Sequence, residues 1–124
     1  MTSDQKPTVD QVFGMMRKNM GSVPSAIEKA TEVDEEILYE HLRSRAYAMP
    51  PEAALDEETR TLVYLASALS ASSKACIQAM ANKAKMQGIS SEKVLETVRI
   101  VRFALATKVI GDAEPVFESL QNRR

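Results

Sequence analysis

A chain of 124 residues is the size of one domain, and its folding removes roughly two-thirds of the unfolded surface from water, enough for a substantial core. Lys and Arg number 16 against 17 Asp and Glu, for a formal charge of −1, and basic residues form no run longer than a pair, as at Arg123-Arg124, which excludes nucleic acid and anionic membranes as expected partners. A 44% hydrophobic content without Trp makes the core aliphatic, and the single Cys excludes an internal disulfide framework; with no apolar signal core and no membrane-length apolar run, the expected location is the cytoplasm.

Residues 1–7 are polar and expected to form a loose, flexible end, with 8–124 as a single domain. Thr8-Val9-Asp10-Gln11 reads as a capping box, and Val9, Val12, Phe13, Met16 and Met20 form one apolar stripe on a first helix that ends near Gly21. Pro24 is expected at the first position of a short second helix that turns Ala26, Ile27 and Ala30 inward. Asp34 caps a third, with Ile37, Leu38, Leu42, Ala46 and Met49 at helical spacing, and Pro50-Pro51 ends it.

Asp56 opens the fourth helix with Glu57 and Glu58 in its first turn, and Leu62, Leu65, Ala66 and Leu69 line one face. Small and hydroxylated residues from Ser70 to Ser73 interrupt the pattern. The fifth helix follows at once, carries Cys76, Ile77, Met80, Ala81 and Ala84, and stops at Gly88. Ser90 starts the sixth, whose apolar residues from Val94 to Ile110, widened by Ile100 and Phe103, exceed a single buried stripe. Such a helix is either central to the fold or covered by another subunit. Gly111-Asp112 is expected to break it before a last short helix holding Pro115, Phe117 and Leu120. No alternating strand pattern is present, so the class is all-α.

The order of these features is the basis of a resemblance. Gly21-Ser22-Val23-Pro24, then Leu55-Asp56-Glu57-Glu58-Thr59-Arg60 leading into Leu62-Val63-Tyr64-Leu65-Ala66, then the small-residue break and Cys76, then Gly88 to Glu96, together resemble the carboxymuconolactone decarboxylase and alkylhydroperoxidase D-like family. The resemblance implies an all-α domain of about six helices centred on a helical hairpin and assembled as a trimer or hexamer. The family's peroxidase branch carries a Glu before the break, then Cys-x-x-Cys, then a His four residues on. Two thiols so spaced can close a disulfide, and the His can take a proton. In this chain the second Cys corresponds to Cys76, the first falls on Ser73, the His on Met80, the Glu on Thr61, and a further His found in some members on Ala75. The missing thiol forbids the intramolecular disulfide, and the decarboxylase branch also looks to the His that Met80 replaces.

Cys76 is the candidate thiol. Its place in the first turn of a helix, near Lys74, favours a thiolate, whereas a buried structural Cys is the competing reading. Ser72 and Ser73 are expected to cap, and Glu57 and Glu58 to serve the helix dipole. His41 is the one imidazole, a candidate base only if the third helix folds over Cys76, and otherwise a surface or interface residue. Met15, Met16, Met20, Met80 and Met86 read as core fillers that can also line a pocket, and Tyr64 as a packed ring able to present its hydroxyl to Cys76. His41 and Cys76 are too few for a zinc site of the usual kind, so neither metal nor cofactor is expected. The resulting expectation is a family protein with thiol peroxidase activity, peroxiredoxin-type, reduced or lost and dependent on Cys76, which an external thiol or Cys76 of another subunit would recover. The alternative is a non-catalytic oligomer that binds a small molecule or partner on the same scaffold, and lactone decarboxylation ranks last.

Overall fold

The computed structural model describes residues 6–123, which contain seven α-helices and no strand. They are α1 (Val9–Met20), α2 (Ser25–Val33), α3 (Glu35–Ala48), α4 (Glu57–Ser70), α5 (Lys74–Met86), α6 (Ser91–Asp112) and α7 (Glu114–Gln121). The all-α class expected from the sequence is therefore the observed one. The loose end expected over residues 1–7 lies outside the described residues as far as residue 5. Beyond it, Lys6 reaches Glu36 at 3.1 Å and lies 3.7 Å from the centre of the Tyr39 ring, and the Tyr39 hydroxyl donates to the Pro7 carbonyl at 2.7 Å.

Local chemistry sets most boundaries. Thr8 and Gln11 form the reciprocal cap of α1, which closes on Gly21 at φ 88°, a left-handed conformation that Gly adopts freely. Asp34 caps α3 through the Glu36 N–H, and Asp56 caps α4 through the Thr59 N–H at 2.8 Å. That bond holds the Asp56 carboxyl below its ordinary pKa of 3.8. Two boundaries differ from expectation. Pro24 sits at the cap of α2, one residue before the helix, because its ψ of 135° is extended. The sixth helix runs through Gly111 and Asp112 and ends at Ala113, with Lys108 bonded to Asp112 across its last turn.

The core has two parts. In one, α1, α2 and α3 enclose Val12 and Leu38, both wholly buried, together with Met16 and Val23. In the other, α4 and α5 form a hairpin whose inner face buries Leu65, Ala68, Met80 and Ala84, with Val101 of α6 laid against α4. Asn82 joins the two parts by donating to the Met20 carbonyl at 3.4 Å. Ala26, Ile37, Ala46 and Ala81, expected inside, are exposed, and α3 stands off α4 so that an open cleft lies between them. On α6 the broad apolar surface is present but bare: Phe103 is 73% exposed and Ile110 64%, so this helix is not central to the monomer.

Candidate functional site

The site is organised by the turn between α4 and α5. The Ser73 N–H donates to the Ala68 carbonyl at 2.9 Å and the Ser72 N–H to the Leu69 carbonyl at 3.3 Å, a pairing that ends α4 with Ser72 left-handed at φ 56°. Ser73 is the N-cap residue of α5 by position, but its side chain makes no capping bond, and Ser72 belongs to the end of α4; the expected side-chain capping by these serines does not occur. The backbone explains this. The turn consumes both serines' N–H groups in closing α4, so their geometry is set by that helix. Lys74, Ala75 and Cys76 then supply the first three N–H groups of α5, which have no partner within the helix.

Cys76 is half-buried, and its Sγ lies 3.3 Å from the Tyr64 hydroxyl on α4. Burial first, then the hydrogen bond and charge of Cys76, push the Tyr64 phenol up to about 12, against a smaller opposing pull from Arg45. Tyr64 therefore keeps its proton at neutral pH, and toward a thiolate it is the donor. No carboxylate or imidazole among the described residues hydrogen-bonds Cys76. Lys74 is exposed and makes no recorded bond to it.

Thr61 and Met80 are 3% exposed each and line one cavity of about 160 Å³, together with Arg45, Arg60, Tyr64 and Lys83. The Thr61 hydroxyl is 3.1 Å from the Glu57 carbonyl and 2.9 Å from Gln87 Oε1. One proton serves one of the two. Turned over, the Gln87 amide donates from Nε2 to Thr61 while Thr61 donates to Glu57, which gives the amide nitrogen a partner. Lys83 has its pKa lowered, by burial first and then by Arg45 and Arg60, with Glu57 acting in the opposite direction.

His41 is exposed on α3, forms no hydrogen bond with Cys76, and lines a cavity of about 390 Å³ and another of about 130 Å³, in both with Arg45 and Tyr64. Met15, Met16, Met20 and Met80 line the smaller of these, whereas Met86 is exposed on α5. Glu58 pairs with Lys93 at 3.1 Å, away from the cavities. No cluster of potential metal ligands occurs among the described residues, and none of the helices searched is long and apolar enough to cross a membrane.

The turn, the thiol in the first turn of α5 and the Thr61 and Met80 positions all fall inside the stretch, residues 36–118, that matches the family profile described as carboxymuconolactone decarboxylase. The chain belongs to this family. The match covers about two-thirds of the sequence, from α3 into α7, and leaves α1 and α2 outside it. No curated protein matches the chain.

Arg45, Arg60 and Lys83 are not among the candidate site residues named from the sequence, where Arg60 stands only in the motif at residues 55–60, although Arg45 and Lys83 each carry a signal. Leu38, Leu42, Arg45 and Met49 share the spacing of one helix face, as do Met80, Lys83 and Gln87. A charged residue in an apolar stripe is the mark of a wet interior surface, here the cleft.

Proposed function

We propose that this family member is a slow, single-cysteine thiol peroxidase, and the observation that carries the proposal is the Tyr64 hydroxyl 3.3 Å from Cys76 Sγ. A protonated phenol stabilises a thiolate by donating to it, and the open N–H groups at the start of α5 add the favourable end of the helix dipole. The thiolate attacks the terminal oxygen of a hydroperoxide: an S–O bond forms, the O–O bond breaks, and the departing alkoxide takes a proton to become an alcohol. Cys76 is left as a sulfenic acid, oxidised by two electrons. An external thiol converts it to a mixed disulfide with loss of water, and a second external thiol releases Cys76 reduced. With Ser73 in place of a second Cys, resolution depends on that outside reductant.

Slow turnover follows from what the thiol lacks. Thr61 and Met80 occupy the positions where the resemblance places the acid and the imidazole, and no carboxylate or imidazole among the described residues hydrogen-bonds Cys76 to take its proton. A second reading, binding without catalysis, draws on the same two residues and on the cleft beside them. The bare surface of α6 and α7 supports assembly of either form into a homo-oligomer, trimeric or hexameric by family resemblance.

Turnover of an alkyl hydroperoxide with dithiothreitol as reductant, alongside dimedone trapping of the sulfenic acid, tests the proposal. Cys76→Ser should abolish both signals, and Tyr64→Phe should lower the rate by about tenfold, the scale of a hydrogen bond to a charged group. With Tyr64 titrating only near 12, its hydroxyl keeps its proton, and so can donate to the thiolate, throughout the neutral range. Peroxide turnover that survives Cys76→Ser sinks the peroxidase reading.

A further inference from the structure

The cleft between α3 and α4 holds more positive charge than its surroundings neutralise. Arg45, Arg60 and Lys83 line the cavity of about 160 Å³ against one carboxylate, Glu57, in a chain whose net charge is −1. None of the three cations forms an ion pair among the described residues. Arg60 donates from one terminal nitrogen to the Pro50 carbonyl at 3.1 Å, yet its Nε is buried without a partner. A buried N–H of a guanidinium left unsatisfied is costly, and so is a cluster of like charges in a half-buried wall. An anion relieves both.

Arg45, Met49, Arg60 and Tyr64 also line the adjoining cavity of about 390 Å³, which continues over Ala48, Leu55 and Val63. That volume is in the range of small-molecule sites. Polar and apolar parts therefore share a wall, with the cations at one end. We propose that this cleft binds a small amphipathic carboxylate, its head held by Arg45, Arg60 and Lys83 and its aliphatic body by Met49, Leu55 and Val63. Planar guanidinium groups suit a carboxylate because two N–H groups can meet its two oxygens. The site goes beyond the thiol chemistry and uses none of its reacting atoms.

Methionine-methyl NMR on the full chain gives a direct test, with octanoate as the probe. Octanoate should shift the Met49 signal saturably and leave Met86, exposed on α5, in place. Hexanoate, two methylenes shorter, should bind about tenfold more weakly. Octanol and inorganic phosphate, each carrying half of the recognised chemistry, should each bind at least about tenfold more weakly than octanoate. Lys83→Gln should weaken octanoate at least about fivefold without changing octanol, with Arg45→Gln as the second variant should the first fail to fold. Cys76→Ser should leave octanoate binding intact, so that failure of the peroxidase proposal and failure of this one are separate results. No saturable Met49 shift with millimolar octanoate, equal binding of octanol or of phosphate, or indifference to both substitutions would overturn the site.

Discussion

Val12 and Leu38, in the α1–α3 layer, are wholly buried, whereas Phe103 and Ile110 on α6 remain 73% and 64% exposed, although all four belong to helices with pronounced apolar surfaces. The difference lies in what each helix meets. The first three helices cover one another, so their stripes are matched within the chain. The sixth lays Val101 against the hairpin and leaves most of its apolar surface, with Val116, Phe117 and Leu120 of α7, uncovered by the described residues. One half of the molecule is thus stabilised by its own packing. The other leaves a broad apolar surface uncovered, the observation behind the homo-oligomer proposed above.

The largest effect expected from breaking this contrast is on assembly. Replacing Phe103 and Ile110 together by Asp places two charges in the centre of the bare surface, and association should weaken at least about 100-fold while helicity is kept. Light scattering reads the result directly: the parent should be an oligomer at micromolar concentration and the double variant a monomer. A monomeric parent would refute the assembly proposal.

Next in size is the packed half. Leu38→Ala should lower stability by about 3 kcal/mol in urea unfolding, the sum of lost transfer energy and a cavity between α1 and α3. In the monomeric double-Asp background, Leu105→Ala on α6 should change stability by less than about 0.5 kcal/mol, because a residue 42% exposed and without an enclosing partner loses little. Similar losses at the two positions would contradict the division of the molecule into a packed half and a bare one.

The sequence carried the helices because their signals are local. Thr8 with Gln11, Asp34, Asp56 and Ser90 each accept or exchange bonds within three residues, and none needs a tertiary partner to be recognised. Which apolar residues are buried was less legible. Ile37 and Leu38 are adjacent and chemically alike, and only the packing of α2 against α3 decides that Leu38 is enclosed and Ile37 is 45% exposed. At the site, the place of Cys76 in the first turn of α5 could be read from the break before it. Tyr64, 12 residues upstream, could be read as a ring able to present its hydroxyl to Cys76, but whether it does so depends on how the hairpin closes. The cationic cleft draws on α3, α4 and α5 together: Arg45 and Lys83 stand out within their own apolar stripes, but no spacing within one helix shows that they meet each other and Arg60.

The smallest predicted effect concerns the hairpin turn that joins these observations. Ser72 is left-handed at φ 56°, the conformation in which a Cβ crowds the following carbonyl and in which Gly is at ease. Gly88, at the end of α5, fills the equivalent place at φ 68°, with Ile89 N–H to the Ala84 carbonyl at 3.0 Å matching Ser73 N–H to Ala68. Two helix ends with the same bonding thus differ in the residue at the left-handed position. Ser72→Gly removes the steric strain but adds freedom to the unfolded chain, so the net gain should be modest, about 0.5 kcal/mol and a rise in Tm of about 2 °C. Gly88→Ser should lose about as much by the reverse exchange, because open space surrounds that position and only the backbone preference changes. If Ser72→Gly also left peroxide turnover unchanged, the turn would serve only to close α4; a fall in rate with stability gained would show that its rigidity places Cys76 against Tyr64.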